Sequence, residues 1–281
     1  MAVRRRRPSL PLIRVPGTRG HAGVDVNPHS ASAELSRPGP LWTVGEGWGA
    51  MISVWAARLK HHGPDKEKRV TDLPASRPPV VSSDEWERRR GELLRAEKEA
   101  TRALDSLAAR RRRLPMVRFD NSYVFETPEG PKTLLDLFDG REQLVVYQFM
   151  DIGQEVFCPG CTHFTSNVAD LGTLHDAGVT FVTVSNMPLD QIQPYKARMG
   201  WTVPFVSSRG NGFADATGAG EFFSLTVFLL DGDDIYLTYS TKARGVDRLL
   251  FSNNILDLTP YGRQEAWEDS PPGWPQHPTY G

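Results

Sequence analysis

Both cysteines of this 281-residue chain fall in one tetrapeptide, Cys158-Pro159-Gly160-Cys161, and the segments on either side of it restrict the fold. Before it, residues 144–149 (LVVYQF) form a near-continuous apolar run, the pattern of a strand covered on both faces in a parallel sheet. After it comes a helix predicted to run to about His175, then a second buried strand over Val179–Ser185. A helix is predicted over 188–199, opened by Pro188 and ended by Gly200. Residues 225–230 and 235–239 read as a hairpin around Asp231-Gly232-Asp233-Asp234, and 245–250 as a last short helix. Upstream, residues 117–119 and 123–125 flank Asp120-Asn121 as a predicted hairpin, and 133–138 read as a short helix.

Strands alternating with helices imply a parallel core built on a βαβ unit. The order strand, CxxC helix, strand, helix, antiparallel pair and helix matches an α/β, thioredoxin-like layout, a central mixed sheet flanked by helices. At a helix N-terminus the unpaired backbone N–H groups and the partial positive charge favour a thiolate, which is the reactive form of cysteine. Cys158 is therefore the expected attacking residue. Cys161, one turn away, is placed to resolve a mixed disulfide. Pro159 suits helix initiation, and Gly160 leaves access for a partner. Haem attachment is excluded because Thr162, not histidine, follows the second cysteine. Two readings stay open beside redox chemistry: a metal held by Cys158, Cys161, His163 and one further residue, and a structural disulfide or inert thiols.

The ends differ from this body. Residues 1–77 hold 13 Lys/Arg against 6 Asp/Glu, whereas 114–281 hold 10 against 21. The basic front is rich in Pro, Gly, Arg and Ser, and reads as a disordered N-terminal extension, with translation from Met51 as an alternative. Prolines 8, 11 and 16 interrupt any signal-peptide core, and no aromatic residues interleave with Arg4–Arg7 as a nucleic-acid surface would require. No run approaches the ~20 apolar residues of a membrane span. The expected setting is cytoplasmic, with neither nucleic acid nor membrane as partner. Residues 78–115 carry a long helix: Ser82-Ser83-Asp84-Glu85 holds a capping box, Leu93, Ala96, Ala100, Leu104 and Leu107 form a stripe, and Pro115 ends it. The thioredoxin-like domain is expected over 116–268 and a C-terminal tail over 269–281.

Short motifs then resemble a family of uncharacterised thioredoxin-like proteins, DUF899, across residues 78–268. They include Pro78-Pro79-Val80-Val81-Ser82, Arg112-Arg113-Leu114-Pro115-Met116, Asp136-Leu137-Phe138-Asp139-Gly140-Arg141, Phe149-Met150, Cys158-Pro159-Gly160-Cys161, Arg198-Met199-Gly200-Trp201, Thr238-Tyr239-Ser240-Thr241, Arg244-Gly245-Val246-Asp247 and Leu256-Asp257-Leu258-Thr259-Pro260. The resemblance implies a thioredoxin-like fold and no defined reaction. The chain departs from the family pattern at Gln148 and Leu237, where histidines are common, and at Thr162-His163-Phe164-Thr165. It also lacks the proline that thioredoxins carry before the strand at 225–230, which puts general protein-disulfide reductase activity in question.

The expected function is thus a thiol–disulfide oxidoreductase or thiol-dependent reductase using Cys158 and Cys161, with an external reductant restoring the thiols. The alternative is a non-catalytic binding module that docks a partner or forms a homodimer through the 84–113 helix. His163 is a candidate for tuning Cys161. Trp201 and Arg198 are candidates for lining a ligand cleft, Tyr239 lies near a strand end, and Arg244 with Arg198 could hold an anion. No cofactor is implied, since Gly210-Asn211-Gly212 has neither the lysine nor the strand–helix frame of a phosphate loop.

Overall fold

The apolar run before the cysteines becomes the middle of a six-stranded sheet. The computed structural model describes residues 77–277; the disordered extension expected over 1–77 (residue 77 apart) and the last four residues lie outside them. In chain order the elements are α1 (Ser83–Arg111), β1 (Val117–Phe119), β2 (Val124–Phe125), β3 (Lys132–Thr133), a 3-10 turn (Asp136–Phe138), β4 (Gln143–Phe149), α2 (Pro159–Ser166), α3 (Gly172–Asp176), β5 (Val179–Ser185), α4 (Leu189–Met199), β6 (Phe205–Ser207), α5 (Phe213–Ala216), β7 (Ser224–Asp231), β8 (Asp234–Thr241), a 3-10 segment (Ala243–Leu249) and α6 (Phe251–Leu256). The sheet order is β1-β8-β7-β4-β5-β6. Strands β4, β5 and β6 run parallel; β7 lies antiparallel to β4, β8 to β7 and β1 to β8. This topology is a thioredoxin-like fold.

Strand β4 is apolar on both sides because both faces are covered. Leu144 and Val146 enter one core with Val182, Val184, Phe228, Phe125 and Phe213. Tyr147 and Phe149 enter the other, with Cys158, Cys161, Phe164, Ile192, Tyr195 and Leu225. Both cysteines lie on the second face, with side chains of α2 and α4.

Several local expectations are revised. Residues 117–119 and 123–125 do not form a hairpin: β1 pairs with β8, β2 pairs with β3, and the Asp120 carboxylate turns the chain by accepting from Ser122. The short helix expected over 133–138 is a single 3-10 turn, because Thr133 belongs to β3 and its hydroxyl and N–H bind Asp136. The helix after the cysteines stops at Ser166, and α3 is a separate element. At the start of α1 only half of the capping box forms. Ser82 accepts the N–H of Glu85 at 3.3 Å, while the Glu85 carboxylate binds Arg88 and Arg89.

Candidate active site

Cys158 is the N-cap of α2 and Pro159 its first residue, where a missing N–H carries no cost. The N–H of Cys161 donates to Cys158 Sγ at 3.3 Å. Cys161 lies directly behind and is fully buried, and its sulfur accepts the N–H of Met150 at 3.5 Å. The Met150 side chain also reaches the pair, with Sδ 3.8 Å from Cys158 Sγ. Both cysteines are free thiols. Cys158 retains 9% exposure, and a Cβ at Gly160 would sit 4.0 Å from its sulfur, so glycine keeps that approach open.

The two thiols are driven apart electrostatically. A hydrogen bond from the Cys161 thiol holds Cys158 below the ordinary thiol value; burial opposes this, and the N–H groups of Cys161 and Gly160 reinforce it. Burial pushes Cys161 well above that value, and the adjacent Cys158 adds to the effect. The result is one ionisable outer thiol backed by one protonated inner thiol.

The supporting shell comes from β4 and α4. Tyr147 stacks on Phe164 with ring centres 3.9 Å apart. Thr162 Oγ1 donates to the Cys158 carbonyl at 2.8 Å and lies 2.6 Å from the Tyr195 hydroxyl, so Tyr195 donates to Thr162. The Tyr195 ring stacks on Phe157 at 3.5 Å and meets Trp201 edge-on at 5.2 Å. An open cleft of about 800 Å³ starts at Phe157 and Tyr195 and runs between α4 and the loop before Cys158. That loop is closed by a bridge between Asp151 and Phe157 and tied to α4 by Gln191 Nε2, which donates to Gly153 O at 3.2 Å.

The structure brings some candidate residues together and separates others. Arg198 lines the cleft, its guanidinium 4.9 Å from the Tyr195 ring centre and 5.4 Å from that of Phe157. Trp201 packs against the same core, with its Nε1 donating to Ser166 Oγ at 3.1 Å. His163 does not face Cys161. Its Nε2 lies 3.1 Å from Ser252 Oγ and 3.3 Å from Asn253 Oδ1, joining α2 to α6. Tyr239 lies on β8 under the Arg111 guanidinium. Arg244 stacks 3.5 Å over Trp267 and pairs with Asp247, so it does not join Arg198 around an anion in the cleft. The metal set of Cys158, Cys161, His163 and a fourth residue is not assembled. Among the described residues, no group of three or more His, Cys, Asp or Glu is placed to hold an ion.

Gln148, at a family histidine position, lies on the opposite sheet face, buried beside Val184 and Ser224. Leu237 packs on that same far core. No cis peptide occurs among the described residues, and Phe223-Ser224 leads into β7. Sequence reasoning passed over Met150, Phe157, Thr162 and Tyr195. A signal existed for two of them: Thr162 lies one turn after Cys158, and Tyr195 precedes Arg198 by three residues on a predicted helix.

A thioredoxin-like sheet whose central strand leads to a CxxC pair capping a helix defines the class of this protein. The family described as "Bacterial protein of unknown function (DUF899)" matches residues 75–280, and the chain belongs to that family. Several solved structures are similar to it. A PrxQ variant from Xylella fastidiosa is 17% identical, with a TM-score of 0.35 over 50% of this chain and 97% of its own. A secreted disulfide oxidoreductase from Mycobacterium tuberculosis is 15% identical, with a TM-score of 0.33 over 46% and 91%. A hypothetical protein from Sinorhizobium meliloti is 16% identical, with a TM-score of 0.33 over 46% and 74%. No protein of curated function matches. No helix among the described residues is long and apolar enough to cross a membrane.

Proposed function

We propose that the protein is a thiol–disulfide oxidoreductase with Cys158 as nucleophile and Cys161 as resolving thiol. One observation carries this reading: Cys158 Sγ accepts the Cys161 N–H at the start of α2, with the buried Cys161 thiol immediately behind it. The Cys158 thiolate attacks one sulfur of a substrate disulfide. A mixed disulfide forms, and the substrate S–S bond breaks to release one thiolate. Cys161 then attacks Cys158 Sγ, passing its proton to a departing thiolate, and the second substrate thiol leaves. Two electrons have moved to the substrate and a Cys158–Cys161 disulfide remains. An external thiol reductant returns it to the dithiol, and a pair of free thiols suits a reducing cytoplasm.

The test is to equilibrate the protein in graded glutathione redox buffers and count alkylated thiols by intact mass. A reversible two-thiol transition between about −120 and −270 mV supports the reading. Cys158→Ser should abolish turnover, and Cys161→Ser should trap the mixed disulfide. A pair that never oxidises, or unchanged turnover in both variants, refutes it.

A separate observation favours self-association as well. None of the 29 residues of α1 is buried, and Trp86, Leu93, Leu104 and Leu107 are all exposed. A second copy of α1 is the proposed cover, and a monomeric full-length chain in light scattering would refute it.

A further inference from the structure

A cleft opens at Phe157, the residue before Cys158, though neither cysteine lines it, and this inference rests on the thiol–disulfide reading above. Cys158 is 9% exposed, and the loop that leads to it is tied to α4 by Gln191. At about 800 Å³ the adjoining cleft has the size of a small-molecule site. Its walls are charged in both signs. Arg198 stands on α4 and Arg209 follows β6, while Asp190, Glu155 and Asp151 line the same cleft. Among the described residues, none of these five groups forms an ion pair.

Arg198 also stands next to the residue that precedes the nucleophile. Its guanidinium borders the rim of the Tyr195–Phe157 stack, 4.9 and 5.4 Å from the two ring centres. A guanidinium without a carboxylate partner keeps its N–H edge free for bidentate binding of one from a ligand. Acidic side chains in the same wall provide acceptors for an ammonium. We infer that the substrate is a low-molecular-weight disulfide of amino-acid type, bearing a carboxylate and an ammonium on each half. Arg198 takes the carboxylate, and Asp190 and Glu155 take the ammonium.

The experiment compares three probes on the full-length reduced protein: cystine, its dimethyl ester, whose carboxylates are blocked, and dithiodipyridine, a neutral aromatic disulfide. Cystine should react about ten- to hundredfold faster than the ester, the worth of one charge-assisted hydrogen bond. Arg198→Gln should erase most of that preference, and Arg198→Lys should restore only part of it. Equal rates for cystine and its ester, an undiminished preference in Arg198→Gln, or faster reduction of insulin than of cystine would overturn the substrate assignment while leaving the thiol reading intact. Failure of dithiodipyridine to react with Cys158 would instead refute the thiol reading, and this inference with it.

Discussion

Replacing Tyr195 by phenylalanine removes a single oxygen from the shell around Cys158. The ring would keep its stack on Phe157, its edge contact with Trp201 and its place beside Arg198. What is lost is the hydrogen bond to Thr162 Oγ1 at 2.6 Å. Thr162 still donates to the Cys158 carbonyl, which also accepts the Thr162 backbone N–H at 2.8 Å, so no buried acceptor is orphaned. The cost is therefore that of one neutral hydrogen bond, about 1 kcal/mol. For a domain of this size that lowers the melting temperature by about 2–4 °C. Tyr195→Ala, by contrast, opens a cavity at a 6% exposed site and should cost roughly 3–5 kcal/mol. Urea unfolding of the reduced protein measures both, and a double-mutant cycle with Thr162→Val isolates the pair. A coupling near 1 kcal/mol is expected. Strict additivity, or a phenylalanine variant as unstable as the alanine one, would refute the chain from Tyr195 through Thr162 to Cys158.

Further outcomes are expected. The alkylation rate of Cys158 should reach its midpoint below the ordinary thiol pH, and Cys161→Ala should move that midpoint up. The lost thiol hydrogen bond stabilised the anion, so its removal makes ionisation harder; Cys158 is then the only thiol left to label, and a downward or absent shift would refute the pairing. Gly200→Ala should cost about 1–2 kcal/mol by denaturation. Gly200 caps α4 at φ 69° with nothing within 4 Å of an added Cβ, so the cost is backbone strain alone, and a neutral result would contradict it. Thr226→Val should be stabilising by about 1 kcal/mol, because its hydroxyl is buried without a partner and valine keeps the shape; a clear loss would show that the hydroxyl is satisfied in solution.

Much of the sheet could be read in advance for a physical reason. A strand covered on both faces must be apolar at consecutive positions, so β4 and β5 stand out as unbroken runs. Strand parity also fixes the side of the sheet on which Gln148 lies. Gln148 lies between Tyr147 and Phe149, so it necessarily points away from the cysteine face. Pairing of distant segments left no such local mark. Val117–Phe119 is equally suited to a hairpin with its neighbours and to the sheet edge, and only the presence of β8 decides for the edge.

The candidate site divides along the same line. Backbone geometry at one helix end follows from Cys158-Pro159-Gly160-Cys161, because capping and the spacing of one turn are local properties of the chain. Local sequence therefore places Cys158 at the helix end and Cys161 one turn behind it. The surroundings of that pair are not local. Tyr195 and Arg198 stand more than 30 residues beyond Cys161, and packing of α4 beside α2 sets them against Phe157 and Thr162. His163 and Arg244 carry the same chemical promise in the sequence, yet tertiary contacts turn them to Ser252 and Trp267. Residue type and spacing thus determine the helix-capping thiol pair and the buried strands, whereas only long-range packing decides which charged and aromatic side chains share its cleft.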